Sequence, residues 1–296
     1  MARNPREAAP EGGAHEDEHA HGVGLTHDLQ MIARRRALGL IAAAGFAPAL
    51  GACDGPWFDR AEADMTGRGA DGSQCVAHPH ETAGPYPADG SNRAHGALAN
   101  VLDRSGIVRA DMRRSLDPTQ AAAEGTPLAL TLELVDVEHA CAPVAGHAIY
   151  VWHCDAAGRY SIYDLPDTSY LRAVGVTDTA GNVTFTTIFP GCYRGRFPHI
   201  HFEVYPSLKT AVSYKNRILT SQLAMPEALC AEVYAAAAAY RDSVPNLDGS
   251  PLARDGIFAN NTPNQLAAQT PEISPDGAGG FRGRVVVGLK GRVNAG

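Results

Sequence analysis

"YLRAVGVTDTAGNVTFTTIFPGCYRGRFPHIHFEVY", residues 170–205, decides the fold. Three runs rich in β-branched and aromatic residues, 170–176, 183–189 and 199–205, are separated by turn chemistry: Asp178-Thr179-Ala180-Gly181-Asn182, then Pro190-Gly191. Short runs of this kind, bounded by Gly, Pro, Asn and Asp, read as strands. Working outward, "HAIYVWHCD" (147–155) and "LALTLELVDV" (128–137) read the same way upstream, and "RVVVGLKG" (284–291) closes the series downstream. Strands at this spacing predict a sandwich or barrel. One helix is predicted, over 226–242, where Pro226 suits the first turn and an alanine run propagates it. The expected fold is all-β: a β-sandwich of mixed strands over 128–296, with long loops and one short helix. Residues 54–127 read as an extended, turn-rich arm in which Pro85 and Pro87 oppose helix.

The chain has 296 residues and a net charge of −7, which gives no electrostatic case for nucleic-acid binding. Its dense basic run, Arg34-Arg35-Arg36, opens an apolar stretch that ends in small residues at Leu50-Gly51-Ala52-Cys53. That stretch is shorter than the roughly twenty residues a transmembrane helix needs. Basic, apolar and small-residue zones in this order make an export signal. The paired arginines resemble a twin-arginine signal, and the final four residues resemble a lipobox, with Cys53 as the acylated residue. Plain signal-peptidase cleavage nearby is the alternative. Residues 1–53 are therefore expected to be a leader, with His15, His19, His21 and His27 a metal-binding type of tract inside it. The protein is expected to be exported, periplasmic or envelope-anchored, touching a membrane only through a lipid anchor. In an oxidising compartment Cys75, Cys141, Cys154, Cys192 and Cys230 can pair with one left over. Cys141 and Cys154 lie at adjacent predicted strands and could be partners; several could equally be buried thiols.

On the last strand of the opening stretch, His199 and His201 are two apart and share a face. Alone, such a pair is better explained by a solvent-facing strand. Two further donors precede it in turns: Tyr160, in "VWHCDAAGRYSIYD", and Tyr193, after Pro190-Gly191. Two phenolates and two imidazoles form a hard, anionic donor set suited to Fe(III), whereas structural zinc sites favour thiolates. Ionising two tyrosines, whose ordinary pKa is near 10, requires a strongly charged cation close by.

From about residue 75 to 290 the sequence resembles the intradiol ring-cleavage dioxygenases, non-haem Fe(III) enzymes that open catechols between their hydroxyls. The resemblance rests on the G-x-Y-S turn, the T-I-x-P-G-x-Y segment and R-x-P-H-I-H, supported by "ETAGPYP" (81–87) and "LTSQL" (219–223). It implies that Tyr160, Tyr193, His199 and His201 hold the iron. Tyr193 would leave the metal and act as a base toward the substrate, and Arg196 would lie over the bound ring. Small aromatic diols of the catechol and protocatechuate type, with O2, are the implied partners, and a muconate-type diacid the product. Tyr86, Tyr163 and Gln222 are candidates for the substrate pocket. Arg172, Arg194 and Lys215 could in principle recognise a ring carboxylate. Tyr150, Trp152, His147 and His153 read as packing or satisfied polar residues.

The sequence lacks the amphipathic N-terminal helices of the catechol and hydroxyquinol branch and looks more like the protocatechuate-type core in one chain. That leaves oligomeric state and substrate open. The competing reading is an exported, non-catalytic β-sandwich that binds an aromatic ligand or polymer. A third is an HxH iron(II) site using Glu203.

Overall fold

Leu128, Leu130, Leu132 and Leu134 are buried along β5 (Pro127–Asp136), while Thr131 and Glu133 between them point outward. This period-2 alternation makes β5 the spine of one layer. β13 (Phe281–Leu289) pairs with it in parallel on one side, and β12 (Glu272–Pro275) adds an antiparallel edge beyond β13. β9 (Asn182–Ile188) and the short β6 (Ala142–Pro143) pair antiparallel with its other side. The second layer is antiparallel throughout, in the order β11 (Leu219–Ala224), β10 (His199–Tyr205), β7 (Ala148–Trp152), β8 (Arg172–Val176). The computed structural model describes residues 64–291. Leader residues 1–53 and Cys53 lie outside the described residues.

Strand β10 is buried on both faces. Ile200, Phe202 and Val204 enter the core between the layers with the β5 leucines and Phe185. His199, His201, Glu203 and Tyr205 point the other way, the face on which Tyr150 and Trp152 of β7 meet Ala88, Ala99, Val101 and Leu102. The polar face of this sheet is therefore roofed by the chain's own N-terminal part. Residues 64–126 carry two hairpins, β1 (Thr66–Arg68) with β2 (Gln74–Val76) and β3 (Asp89–Ala94) with β4 (Ala97–Asn100). Single parallel bridges tie this part to the layers at Ala77–Gly288, Val108–Val174 and Asp111–Thr186.

The sequence runs match strands, with informative differences. β8 begins at Arg172 because Leu171 sits at φ 56°, a left-handed turn conformation that no strand accommodates. "LTSQL" forms β11, a strand the alternation did not reveal because all six of its residues are buried. The single helix expected over 226–242 is shorter: α1 spans Glu227–Ala236, and Ala237 is extended. A 3-10 turn follows, Ala238–Tyr240, whose Tyr240 hydroxyl donates to Phe189 O and accepts from Thr126 N. Two further helices correct the expectation of one: α2 (Val244–Gly249) and α3 (Pro263–Ala268), the latter started by a Thr262–Gln265 capping box. Among the described residues no helix is long and apolar enough to cross a membrane.

The suggested Cys141–Cys154 pairing is not formed. Cys75 bonds Cys141, pinning β2 to the β5–β6 turn, and the Gly67 backbone packs on both sulfurs. Cys154 follows β7 in the other layer, where its thiol donates to Gly191 O; Cys192 and Cys230 are also free and buried.

Candidate functional site

Two tight turns bring the tyrosines together. Asp155 closes the first, its carboxylate accepting from Ala157 N and Arg159 N and pairing with the Arg159 guanidinium. Gly158 sits at φ 84°, and a Cβ there would strike the Cys192 carbonyl; a Cβ on Gly191 would strike the carbonyls of Asp155 and Ala156. Only glycine lets these backbones meet. The turn bearing Tyr160 is thus pressed against the turn bearing Tyr193, and the two rings stand 5.8 Å apart.

Strand β10 supplies the histidines. Their Nε2 atoms converge to 3.1 Å. His199 Nδ1 donates to Phe197 O at 2.5 Å, which leaves Nε2 as the lone-pair nitrogen. Ring centroids lie 4.7 Å apart for His199–His201, 5.7 Å for Tyr193–His199 and 6.5 Å for Tyr160–His201. All four side chains are buried. Burial, with the Arg196 charge as a second cause, lowers His199 to about 3; burial and His199 push His201 well below the ordinary value. Both imidazoles are therefore neutral and can act as ligands at neutral pH. Burial, then Tyr193, raises the Tyr160 hydroxyl well above 10. Its oxygen is fully buried and has no hydrogen-bond partner among the described residues, and neither has His201 Nδ1. A buried polar atom left in this state is uncommon in folded proteins. Two neutral lone pairs converging beside a buried, unbonded phenol are what a hard cation would fit.

Glu203 shares the strand face of the histidines but is committed elsewhere. It accepts from Tyr205 Oη at 2.6 Å and Thr220 Oγ1 at 3.3 Å, with Arg217 Nε 3.4 Å away. No cluster of three His, Cys, Asp or Glu side chains suited to a metal occurs among the described residues. A carboxylate-type iron(II) site therefore has no third ligand here, and a metal in this place would draw on the tyrosines.

Around this group the structure brings most of the expected residues. Tyr86 stacks on Tyr160 at 4.6 Å and meets Tyr163 and Tyr193 edge-on. Tyr163 Oη is committed, donating to Asn92 Oδ1 and accepting from Ala88 N. Gln222, paired with His201 in the β10–β11 register, accepts from Arg196 Nη2 at 2.6 Å and donates to Thr82 O. It holds the arginine rather than presenting a free amide. Arg196 is 1% exposed, and its Nε donates to Asp255 Oδ2 at 2.9 Å. Arg194 and Lys215 are exposed, so neither is a buried cation waiting for a ring carboxylate. His153 is satisfied by Cys154 O and Thr187 Oγ1, as expected of a residue outside the site.

The family model described as Dioxygenase matches residues 108–199, which include Tyr160, Tyr193, Arg196 and His199. A solved intradiol ring-cleavage dioxygenase from Tetranychus urticae shares 23% identity, with TM-score 0.54 over 73% of this chain and 95% of that one. A second solved dioxygenase shares 24%, with TM-score 0.55 over 75% of this chain and 98% of that one. These likenesses are of fold. Residues 108–199 thus match a dioxygenase family model, and the fold is similar to that of solved intradiol ring-cleavage dioxygenases. No curated protein matches its sequence significantly.

Some residues around these four side chains gave little sequence signal. Asp255 takes Arg196 Nε, Phe197 N, Ile257 N and Phe258 N on one buried carboxylate, yet in "ARDGIF" it reads as an ordinary turn aspartate. Trp152 lies parallel to the His201 ring at 4.9 Å, backed by Tyr150. Gly84, at φ 68°, lies against His201, where a Cβ would come within 3.3 Å of Cε1. Strand alternation put Trp152 and Tyr150 on one face of their strand without saying which; Gly84 lies within "ETAGPYP" but was not singled out, and nothing local marked Asp255.

Proposed function

We propose that this protein is an Fe(III)-dependent intradiol dioxygenase that opens a catechol-type ring between its hydroxyls and retains both atoms of O2 in a muconate-type diacid. The observation that carries the reading is the convergence of two neutral imidazole nitrogens beside the buried, unbonded Tyr160 hydroxyl, with Tyr193 adjacent. Tyr160, Tyr193, His199 and His201 would hold the metal. The bound iron would supply a Lewis acid that chelates the diol as a dianion and activates it toward O2.

The protein's own groups do the rest. Tyr193 Oη, as a phenolate, takes a proton from a diol hydroxyl, which is general-base work. Arg196 holds a fixed positive charge beside the ring and stabilises the carbanion-like form, a contribution of about 3–4 kcal/mol in comparable electrostatic sites. Asp255 and Gln222 keep that guanidinium from turning. Tyr86, Trp152 and Phe258 line the surroundings with aromatic surface and exclude water from the reacting centre.

Export fits the same reading. The Cys75–Cys141 disulfide is the feature that supports an oxidising compartment, and the twin-arginine-type signal and acylated Cys53 remain part of this proposal.

The test is a visible absorption spectrum of the iron-loaded protein before and after anaerobic catechol, protocatechuate and hydroxyquinol. A red-brown tyrosinate band that moves to longer wavelength with a diol, and that changes in Tyr160→Phe, is expected. Iron bound without colour, or colour that persists after removing both Tyr160 and Tyr193, would overturn the ligand set and favour the non-catalytic binding module.

A further inference from the structure

Arg172 has spent every donor it owns. It stands on β8 opposite Trp152 in register and is 1% exposed. Nε donates to Ser161 Oγ at 3.0 Å; Nη1 donates to Pro87 O at 2.9 Å and Tyr150 Oη at 3.0 Å. Nη2 donates to Tyr86 O at 2.9 Å and Ser161 O at 3.1 Å. A guanidinium has five N–H groups in a rigid planar fork, so none remains for a ligand. A role in recognising a ring carboxylate is ruled out by this accounting.

Of the five bonds, one reaches Tyr150 on β7 and four join two stretches far apart in sequence. One is the irregular segment Pro85–Ala88; the other is the turn that carries Tyr160 and Ser161. Ser161 is itself tied down by its hydroxyl, which donates to Tyr170 O, and Tyr150 Oη donates to Pro87 O as well. Between the anchored backbones, the Tyr86 ring lies on the Tyr160 ring at 4.6 Å and 30°. Segment 85–88 has no strand pairing of its own, and besides the Val101 N–H on Ala88 O it is held by side chains. Lysine could not do this, because three donors on one nitrogen cannot span both stretches.

We propose that Arg172 is a positioning residue that holds Tyr86 against Tyr160, so that the N-terminal segment and the metal-side tyrosine form one rigid wall of the diol pocket. This rests on the iron-site reading above for its consequence in catalysis, but its geometric content stands without metal. Arg172 acts through Tyr86 and does not touch substrate.

The experiment compares Arg172→Lys, Tyr86→Ala and the double variant. In metal-free protein the near-ultraviolet circular dichroism reports the tyrosine pair. Arg172→Lys is expected to lose the same signal as Tyr86→Ala, with far-ultraviolet spectra unchanged and no further loss in the double variant. In iron-loaded protein, kcat/KM for catechol should fall by about tenfold or more in each single variant, again without adding in the double. A wild-type near-ultraviolet spectrum in Arg172→Lys, or losses that add fully, would overturn the proposal. Should Arg172→Lys fail to fold, Ser161→Ala and Tyr150→Phe each remove one acceptor and leave the arginine; partial loss of the signal is expected, and no loss in either overturns it. Wild-type protein that loads iron but cleaves no diol would count against the dioxygenase reading alone, since the metal-free comparison still decides on Arg172.

Discussion

At the scale of single residues, Asp255 carries more than its place in a loop suggests. Its carboxylate and the Arg196 guanidinium are both almost fully buried and form an ion pair at 2.9 Å, so each compensates the other's charge. Burial pushes the Asp255 carboxyl up, but Arg196 and the Phe197 N–H outweigh it, and the group settles below the ordinary carboxylate value. A depressed folded-state value means that the unfolded chain binds the proton more readily, so this stabilisation is full above about pH 4 and is lost as pH falls through the folded value. Asp255→Asn keeps the shape and removes the charge. Breaking a buried pair from one side typically costs about 3–5 kcal/mol, which in a domain of this size lowers Tm by on the order of 10 °C. The variant should also show a flatter acid limb in a plot of Tm against pH. An acid limb identical to wild type would mean that Asp255 is not the group being titrated. Arg196 should lose its fixed pose with the charge, so kcat is expected to fall more than KM rises.

At the scale of elements, the site depends on two turns meeting backbone to backbone, and glycine decides whether they can. Gly158→Ala places a methyl group into the Cys192 carbonyl and forces an alanine to φ 84°. Each effect costs about 1–3 kcal/mol. Tyr160 and Tyr193 would separate, so the variant is expected to lower Tm by several degrees and also to weaken the tyrosinate band. Gly146, also at positive φ but in open space, provides the contrast: Gly146→Ala should cost only the backbone term and leave the band intact. A Gly158→Ala protein with the wild-type spectrum would show that the turns can part without disturbing the donors. The strands were legible in the sequence because alternation and turn residues are local signals, and Tyr160, Tyr193, His199 and His201, singled out there by their joint order, do lie together in the fold. β10 was placed residue for residue. What was not legible is what long-range packing decides. β11 is buried on both faces and so has no alternation, α1 ends early where Tyr240 is drawn to Phe189, and Asp255 looks like any turn aspartate until Arg196 is folded against it.

At the scale of the whole molecule, the N-terminal part that roofs the histidine face with residues 83–102 begins in the β1–β2 hairpin, which packs beside β5 and β13, and several connections hold that part in place. One is covalent. Cys75–Cys141 spans 66 residues and fastens β2 to the turn after β5, next to the Ala77–Gly288 bridge. Closing a loop of that length restricts the unfolded chain by an amount worth about 4 kcal/mol in the chain-entropy account, though engineered bridges commonly deliver less. Reduction, or replacement of both cysteines by serine, is therefore expected to lower Tm by roughly 5–15 °C. The loss should be local before it is global. The β1–β2 hairpin sits outside the two layers, so hydrogen exchange in 66–77 should rise first, while β5 and β10 stay protected until the whole domain opens. The segment after it, 78–88, has its own side-chain anchors: Gln222 on Thr82 O, Asn92 on Pro85 O, and Arg172 on Tyr86 O and Pro87 O. Activity measured at 25 °C on the reduced protein is accordingly expected to stay within about twofold of the oxidised form, because the anchors and not the disulfide set the pocket wall. A large loss of activity on reduction at a temperature where the fold is intact would reverse that order, making the disulfide, and with it the oxidising compartment, a requirement of the site itself.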